Sequence, residues 1–302
     1  MPVDPAAQAV LDILNAPGVP PLDELPVPDA RAAYDGLAGF AGEPVPVAAT
    51  EDLSAGGVPV RLYRPPGEGP HPVLVWLHGG GWVLGSVDGY DAVARDLCVR
   101  AGCLVVSVGY RLAPEHRFPA AVDDVVTAAT WVAATIADHG GDPARMAVGG
   151  DSAGGNLAAV LANQLPGRFR LQVLIYPATD LSGSYPSVEE NGEGLLLTKS
   201  AMAWFADHYL GRADPRDHRA SPMYTDDATL AAAPPAVVIT GEYDPLRDEG
   251  EAYASRLRAA GVDVEHRRYP GMIHAFYAMR GVVPAATEAL DQVSTALVKA
   301  WA

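Results

Sequence analysis

The chain has 302 residues, of which 49% are hydrophobic and 19% charged, and its net charge is −16 at neutral pH. This length and composition predict a globular protein with a sizeable core, in one large α/β domain or two small ones. The negative charge argues against nucleic acid or an anionic membrane surface as a partner, because either would repel the chain.

Targeting, redox and metal signals are few. The first basic residue is Arg31, so the N-terminus lacks the positive region of a signal peptide, and no apolar run approaches the length of a membrane-spanning helix. Cys98 and Cys103 are predicted to be reduced, buried, small apolar side chains. No Cys/His cluster has metal-ligand spacing. These features predict a cytoplasmic protein that spans no membrane and uses no metal or cofactor.

The first predicted element is a helix that precedes every strand. Asp4 is a typical N-cap and Pro5 a typical first helical residue. The helix carries an apolar stripe, namely Val10, Leu11, Ile13 and Leu14. It is predicted to end at Pro17 and Gly18, and a proline-rich connector follows as far as Pro28. Because this segment lies before the sheet, it is expected to pack over the domain rather than inside it.

A hairpin and then alternating strands and helices make up the predicted core. Residues 44–52 and 58–63 flank a glycine turn, and Val58, Val60 and Leu62 alternate as in an antiparallel hairpin with one buried face. Further strands are predicted at 72–77, 103–108, 145–148, 171–176, 236–240 and 262–269. Helices are predicted at 91–100, from 119 onward, and at 156–162, 248–260 and 284–301. This alternation predicts an α/β fold with a mostly parallel sheet and helices on both faces.

A glycine-rich loop follows the strand at 72–77, with the sequence His78-Gly79-Gly80-Gly81-Trp82. Three consecutive glycines leave backbone N–H groups unshielded, so the chain can approach a bound oxygen closely. A flexible turn and a phosphate-binding loop are the alternatives. The loop lacks the lysine of a P-loop and does not match Gly-x-Gly-x-x-Gly, which disfavours phosphate binding.

The motif Gly-x-Ser-x-Gly occurs between a predicted strand and a predicted helix, as Gly150-Asp151-Ser152-Ala153-Gly154. This is the pattern of a nucleophile elbow, in which the serine sits on a sharp, strained turn. Side chains two residues before and two after the serine would collide, so the geometry needs glycine at both positions. A glycine-rich turn before a helix is the alternative, and the partners of the serine decide between the two.

Residues from Asp180 to about 227 interrupt the alternation of strands and helices. They are rich in Gly, Pro, Ser and acidic residues, and they contain one clear amphipathic helix at 200–210. Such a stretch is too long for an ordinary loop in a compact domain, so an insertion over one face is predicted. Its Met202, Trp204 and Phe205 are expected to receive the apolar stripe of the N-terminal helix, so that the two segments form one lid.

A serine nucleophile needs a base, and in this fold the acid and then the histidine follow the serine in the chain. Of the eight histidines, His274 alone combines a position after the last strand with a glycine-flanked loop and apolar neighbours. Among the acids, Asp244 follows its strand closely and Pro245 stiffens its loop. Asp248 is expected to cap the next helix, and Glu242 is the second choice for the acid.

Five motifs, in this order and at similar spacings, resemble the hormone-sensitive-lipase-like bacterial esterases of the α/β-hydrolase superfamily. They are His78-Gly79-Gly80-Gly81-Trp82, Tyr110-Arg111-Leu112-Ala113-Pro114-Glu115, Gly150-Asp151-Ser152-Ala153-Gly154-Gly155, Asp244-Pro245-Leu246-Arg247-Asp248 and Ile273-His274. The resemblance covers almost the whole chain, and no departure touches a catalytic position. It implies an α/β-hydrolase fold with a helical cap, and a carboxylesterase for short- to medium-chain acyl esters.

The resemblance also implies roles for individual residues. The nucleophile, the general base and the carboxylate that orients the base are implied to be Ser152, His274 and Asp244. An oxyanion hole is implied at the backbone N–H groups of Gly80, Gly81 and Ala153. Gly79 is the less certain member of this loop, and its expected role is the turn that presents the other two glycines.

A single domain is expected, with the cap at 1–40 and 181–225 and the catalytic core at 41–180 and 226–302. The predicted partner is a small-molecule ester, with a homodimer left open. Two other functions are also left open. One is a ligand-binding protein on the same fold, which the intact set of catalytic residues disfavours. The other is an amide or thioester hydrolase that uses the same machinery.

Overall fold

The computed structural model describes residues 2–302, and an eight-stranded sheet runs through its centre. The strands are β1 (Ala49–Ala55), β2 (Val58–Arg64), β3 (His71–Leu77), β4 (Leu104–Val108), β5 (Gly141–Asp151), β6 (Gln172–Ile175), β7 (Ala236–Tyr243) and β8 (Val264–Ile273). Their order across the sheet is β1-β2-β4-β3-β5-β6-β7-β8. β2 pairs antiparallel with β1 and β4, and every other pair of neighbours is parallel.

Helices cover both faces of this sheet. They are α1 (Pro5–Leu14), α2 (Val27–Asp35), α3 (Asp91–Ala101), α4 (Ala120–Thr135), α5 (Ala153–Gln164), α6 (Pro186–Asn191), α7 (Lys199–Leu210), α8 (Asp227–Ala231), α9 (Arg247–Ala259) and α10 (Pro284–Trp301). The buried residues of α4, α5 and α9 pack in one core, and those of α3 and α10 pack in the other. Because helices lie on both sides, β4 is buried along its whole length, and β3 is buried at all but one residue.

The predicted α/β fold is confirmed, including the antiparallel hairpin at the start of the sheet. The helix α2 was not predicted, because it begins inside the proline-rich connector. Its Pro28 lies in the first helical turn, where a proline removes no intrahelical hydrogen bond and therefore does not prevent a helix.

One helix contradicts the expectation that no apolar run reaches the length of a membrane span. The stretch Ala120–His139, which is α4 with a short 3₁₀ extension, is long and apolar enough by length and composition to cross a membrane. It packs on α5 and on β1, β2 and β5 in this fold. Its alanines and valines form part of the core on that face of the sheet, which accounts for its composition.

The parallel strands bring four chain segments to one edge of the sheet. β3, β5, β7 and β8 all end at this edge, and each is followed by a segment that carries candidate site residues. In open α/β sheets, ligands bind outside the carboxyl ends of the strands. The topology therefore gathers residues that are more than 190 positions apart in sequence, from the loop that begins at His78 to the loop that contains His274.

Candidate active site

Ser152 lies on a strained turn between β5 and α5. Its backbone has φ 55° and ψ −118°, a combination that non-glycine residues rarely adopt. A Cβ on Gly150 would lie 2.4 Å from the carbonyl oxygen of Leu77, and a Cβ on Gly154 would lie 2.0 Å from the same oxygen. Both glycines are therefore needed so that the turn can lie against the end of β3, as a nucleophile elbow requires.

The structure brings Ser152, His274 and Asp244 together at the carboxyl edge of the sheet. His274 Nε2 lies 2.9 Å from Ser152 Oγ, and His274 Nδ1 lies 2.7 Å from Asp244 Oδ2. Asp244 is fully buried, and its Oδ1 accepts the backbone N–H of Leu246 at 2.8 Å. A proton on Nδ1 satisfies Asp244 and leaves the lone pair of Nε2 directed at the serine hydroxyl. This arrangement can take a proton from Ser152.

The other two candidate acids lie in different surroundings. Asp248 Oδ2 accepts the backbone N–H of Ser187 at 2.8 Å, and its Oδ1 pairs with Arg247 Nε at 2.7 Å. The prediction that Asp248 caps α9 is wrong, because the helix begins one residue earlier, at Arg247. Glu242 accepts the backbone N–H of Gly271 at 2.7 Å, and this bond holds the pKa of Glu242 below its usual value.

Two glycines of the loop after β3 have conformations and surroundings that exclude a side chain. Gly80 has φ 113° and Gly81 has φ 60°. A Cβ on Gly80 would lie 2.3 Å from the carbonyl oxygen of Leu84. A Cβ on Gly81 would lie 2.2 Å from the ring of Phe205, which belongs to α7 in the predicted insertion. The insertion therefore packs directly on this loop.

The backbone N–H groups near Ser152 differ in whether they already have an acceptor. Ala153 is the first residue of α5, so its N–H has no acceptor within that helix. In the part of the chain that the structure describes, no acceptor takes the N–H of Gly80 or Gly81. The N–H of Gly79, in contrast, donates to Asp151 Oδ1 at 2.9 Å. The N–H of Gly79 thus already has an acceptor, in contrast to the N–H groups of Gly80, Gly81 and Ala153.

His78, the first residue of the glycine-rich loop, is a buried structural residue. It is 1% exposed and its ring stacks on Tyr110, with 4.3 Å between the ring centroids. Burial lowers the pKa of His78 to about 4, so the ring is neutral at neutral pH. Its Nδ1 lies 2.8 Å from the carbonyl oxygen of Gly79. His78 therefore packs inside the protein as a neutral ring at the start of the glycine-rich loop.

A cavity of about 550 Å³ adjoins Ser152 and His274. Most of its wall is apolar and comes from the two segments predicted as the cap, through residues such as Leu14, Leu22, Tyr34, Leu196, Met202 and Phe205. Its acidic lining residues are Asp23, Asp180 and Glu249. Burial raises the pKa of Glu249 to about 8, although its carboxylate accepts the backbone N–H of Thr179 at 2.6 Å. This buried acid was not predicted.

The N-terminal helix contacts other residues than predicted. Leu11 packs with Ala7 on Ile273, the residue before His274, and Ile13 is 58% exposed. Val10 packs in the core that contains the buried residues of α3 and α10, whereas Met202, Trp204 and Phe205 pack in the other core. The prediction that the stripe packs on these three residues is therefore wrong for Val10, Leu11 and Ile13. It is the 3₁₀ turn Leu22–Glu24 that contacts α7. Leu14, at the end of α1, lines the same cavity as Met202.

The cysteines and possible metal ligands lie away from this chemistry. Cys98 and Cys103 are buried and free, as predicted, and burial raises the pKa of the Cys98 thiol to about 12. Across residues 2–302, no group of three or more His, Cys, Asp or Glu side chains is arranged to hold a metal ion.

Comparison with known proteins identifies relatives along almost the entire chain. The α/β-hydrolase fold family matches residues 74–278. An ethyl acetate hydrolase of Pseudomonas putida is 40% identical over 316 aligned residues, which cover 98% of this chain and 99% of the relative. The carboxylesterase NlhH of Mycobacterium tuberculosis is 42% identical over 286 residues, which cover 92% of this chain and 84% of the relative.

Solved structures of esterases have the same fold as this chain. The hyperthermophilic esterase of the archaeon Pyrobaculum calidifontis superposes with a TM-score of 0.93 at 40% sequence identity, and the match covers 99% of each chain. This similarity extends over both segments outside the alternating core, since almost no part of either chain is left out.

Proposed function

The chain belongs to the α/β-hydrolase family, among the hormone-sensitive-lipase-like bacterial esterases, and we propose that this carboxylic ester hydrolase works through an acyl-enzyme formed on Ser152. The observation that carries the proposal is the pair of hydrogen bonds that His274 makes, one to Ser152 and one to Asp244. The proposed nucleophile and base are thus hydrogen-bonded to each other, and the base to its orienting carboxylate. Ser152 and His274 line a cavity that can hold a small ester.

In the first step, Ser152 Oγ attacks the ester carbonyl while His274 Nε2 takes the hydroxyl proton. The imidazolium that forms is stabilised by Asp244, which is fully buried and accepts from Nδ1. His274 then donates the proton to the departing alcohol, which leaves the acyl group on Ser152. Water attacks the acyl-enzyme in the second half of the reaction, with His274 again acting as the base.

The negative charge that develops on the carbonyl oxygen needs donors that are already in place. We assign this role to the backbone N–H groups of Gly80, Gly81 and Ala153. Such donors are typically worth about 3 kcal/mol each in the transition state, because they are fixed before the reaction and need no reorganisation. Gly79 is omitted from this set, since its N–H already donates to Asp151.

The size and composition of the cavity support short- and medium-chain acyl groups as substrates. A volume of about 550 Å³ lies in the lower half of the range for small-molecule sites, which is about 300–1,000 Å³. Residues from the two proposed cap segments, including Leu14 and Met202, form much of its wall. We propose that 1–40 and 181–225 act as the cap of a single domain, and that this cap limits the entry of water and long acyl chains.

The location in the cell is part of the same proposal. We propose the cytoplasm, with support from the two free, buried thiols of Cys98 and Cys103. Thiols persist in that compartment because its redox systems keep them reduced.

The central test is hydrolysis of p-nitrophenyl butyrate by the wild type and by Ser152→Ala. We expect the substitution to abolish turnover, and an organophosphonate probe to add one label to the wild type, located at Ser152 by peptide mass spectrometry. Ser255→Ala is the matched control, because its hydroxyl only donates to the carbonyl of Glu251 on the exposed side of α9. Labelling at another residue, with activity retained in Ser152→Ala, would contradict the mechanism.

The two alternative functions give different results in the same assay. A ligand-binding protein would bind the ester without turning it over, even with Ser152 intact. An amide or thioester hydrolase would also turn over a p-nitroanilide or an alkyl thioester of the same acyl group. Because p-nitrophenoxide is the best leaving group of the three, the rate on the p-nitrophenyl ester does not decide between these functions. We expect simple alkyl esters of this acyl group to be cleaved, and no measurable turnover of the p-nitroanilide or the alkyl thioester.

A further inference from the structure

Asp151, the residue before the nucleophile, is a buried carboxylate that the proposed mechanism leaves without a role. It is 1% exposed and lies at the end of β5. Its Oδ1 accepts the N–H of Gly79 at 2.9 Å, and its Oδ2 accepts the hydroxyls of Tyr90 at 2.9 Å and Tyr176 at 3.5 Å. Within residues 2–302, no lysine or arginine forms an ion pair with it. The carboxylate is therefore held by neutral donors alone.

Asp151 and Tyr90 also occupy the space beside the Cα atom of Gly79. A Cβ on Gly79 would lie 2.5 Å from Asp151 Oδ2 and 2.7 Å from the Tyr90 hydroxyl. The carboxylate thus fixes Gly79 by a hydrogen bond to its N–H and by close packing against its Cα. Gly79 directly precedes Gly80 and Gly81, so this contact sets the position from which the two proposed oxyanion donors extend.

A second hydroxyl extends this network to the cavity wall. The hydroxyls of Tyr34 and Tyr90 lie 3.0 Å apart. Because the single hydroxyl proton of Tyr90 is donated to Asp151, Tyr34 is the donor to Tyr90. Tyr34 belongs to α2 and lines the cavity beside Ser152. The carboxylate is therefore connected through two phenols to the N-terminal segment.

We infer that Asp151 is a positioning residue, whose ionised carboxylate holds Gly79 so that the N–H groups of Gly80 and Gly81 face the carbonyl oxygen of a substrate on Ser152. This inference rests on the proposed function, because it assigns Asp151 a task only if those N–H groups form the oxyanion hole. It predicts that Asp151 affects the transition state more than the binding of substrate.

The charge of Asp151 gives this inference a signature in pH. Burial raises the pKa of Asp151 to about 6, although the Tyr90 hydroxyl and the Gly79 N–H oppose the shift. The titratable groups that interact with it are His274, Tyr34, Tyr90, Tyr110, Tyr176 and Tyr277, and His78 packs on the ring of Tyr90. Burial keeps all five phenols neutral and lowers the pKa of His78 to about 4. Below about pH 6 the carboxyl is protonated, and its bond to Gly79 becomes roughly half as strong, because charge-assisted hydrogen bonds are about twice as strong as neutral ones.

Asp151→Asn tests this inference, because it makes the protonated form permanent with little change in shape. The amide oxygen can still accept from Gly79, and the amide nitrogen can donate to Tyr90. At pH 8 we expect kcat for p-nitrophenyl butyrate to fall about tenfold while KM stays within about twofold. Inhibition by a trifluoromethyl ketone, which forms a tetrahedral adduct on the serine, should weaken by the same factor.

The pH dependence separates a positioning role from a purely structural one. The ratio of wild-type kcat to that of Asp151→Asn should be about ten at pH 8 and approach one near pH 5, because the wild-type carboxyl is then protonated as well. Asp96→Asn is the matched control. Asp96 is 2% exposed and pairs with Arg100 and Arg280 away from the site, so this variant should lose stability with an unchanged kcat.

A ratio that stays constant from pH 5 to 8, or a loss that appears in KM alone, would overturn the inference. Its failure is distinguishable from failure of the proposed function. If Ser152→Ala is inactive but the ratio does not change with pH, only the positioning role is lost. If Ser152→Ala retains activity, the acyl-enzyme itself is wrong.

Discussion

At the scale of single residues, three buried or partly buried aspartates near Ser152 have different partners and therefore different tasks. Asp244 faces the imidazole of His274, Asp151 faces a backbone N–H and two phenols, and Asp248 faces Arg247 and a backbone N–H of α6. Of these partners, only the imidazole of His274 changes its charge during the proposed reaction. Substitution of Asp244 should therefore affect catalysis in a different way from substitution of Asp248.

We predict that Asp244→Asn loses about four orders of magnitude in kcat, as in a serine protease whose orienting aspartate is replaced by an amide. The amide nitrogen donates to His274 Nδ1, so the ring must carry its proton on Nε2, where it can no longer accept from Ser152. Single-turnover kinetics with p-nitrophenyl butyrate measure this loss.

Asp248→Asn is the matched comparison for this prediction. The Asp248 side chain is 21% exposed, and the amide oxygen of the asparagine that replaces it can still accept from Ser187. The main loss is therefore the ion pair with Arg247. We expect a decrease of roughly 1 kcal/mol or less in the free energy of unfolding, with kcat almost unchanged. A larger loss of kcat in Asp248→Asn than in Asp244→Asn would transfer the orienting role to Asp248.

Sequence reasoning finds some of these residues because their local patterns are sufficient. Ser152 lies in a motif whose two glycines are dictated by the turn itself, and His274 lies in a glycine-flanked loop after the last strand. The contacts of Asp151 have no local pattern, because Gly79 and Tyr90 are 72 and 61 positions away in the chain. Such contacts follow only from the order of strands in the sheet.

At the scale of elements, α1 presents two leucines to two different surroundings. Leu11 is buried against Ile273, which precedes His274, and it does not line the cavity. Leu14 is partly exposed and lines the cavity together with Met202 of α7. The two residues are one helical turn apart. Substitutions at Leu11 and Leu14 can therefore test separately how α1 packs on the core and how it contributes to the cavity.

We predict that Leu14→Ala changes the acyl-chain preference with little effect on stability. Truncation of Leu14 enlarges the cavity, so the ratio of kcat/KM for p-nitrophenyl octanoate to that for p-nitrophenyl butyrate should increase. Leu11→Ala should instead destabilise the fold by about 2–5 kcal/mol, as is typical of buried leucines, and leave that ratio unchanged. If neither variant changes the ratio, α1 is a packing element and no part of the cap that selects the acyl chain.

Elements differ in how well the sequence predicts them. The strands and helices of the core carry clear patterns and are all present in the structure, but their ends are less well predicted. β1 begins five residues later than predicted, and β5, β7 and β8 run three or four residues past their predicted ends. The helix α2 has no such signal, because its residues are mainly alanines and polar residues that follow prolines. The partners of α1 also could not be predicted, because an apolar stripe shows that a surface is covered without showing which residues cover it.

At the scale of the whole molecule, alternating strands and helices predict a doubly covered parallel sheet, and the order of the strands then decides which loops meet. The sheet places β3 between β4 and β5, so the glycine-rich loop comes to lie beside the nucleophile elbow. That adjacency depends on the right-handed connections between parallel strands rather than on any single residue. The fold was therefore predictable, while the hydrogen bonds that Asp151 accepts from Gly79 and Tyr90 were not.

The lining of the cavity is acidic, as is the chain as a whole, whose net charge is −16. Asp23, Asp180 and Glu249 line the cavity, and of the residues that the structure describes, no lysine or arginine lines it. Burial raises the pKa of Glu249 to about 8, so Glu249 adds negative charge to the cavity as the pH rises above neutral. A negative charge on the acyl group would be repelled by these carboxylates, and the repulsion is stronger inside a cavity than in bulk water.

We predict that the protein discriminates against esters with an anionic acyl group. The kcat/KM for mono-p-nitrophenyl adipate should be about tenfold or more below that for p-nitrophenyl hexanoate, which has the same number of acyl carbons. Its neutral methyl ester is the control for bulk and polarity and should recover most of the difference.

Because Glu249 ionises near pH 8, the difference between the anionic and neutral substrates should widen from pH 7 to 9, and Glu249→Gln should remove that widening. Salt screens charges on the surface more than charges in a cavity, so most of the discrimination should persist at about 0.5 M sodium chloride. Equal rates for the adipate and the hexanoate would show that the carboxylates of the cavity do not act on the substrate.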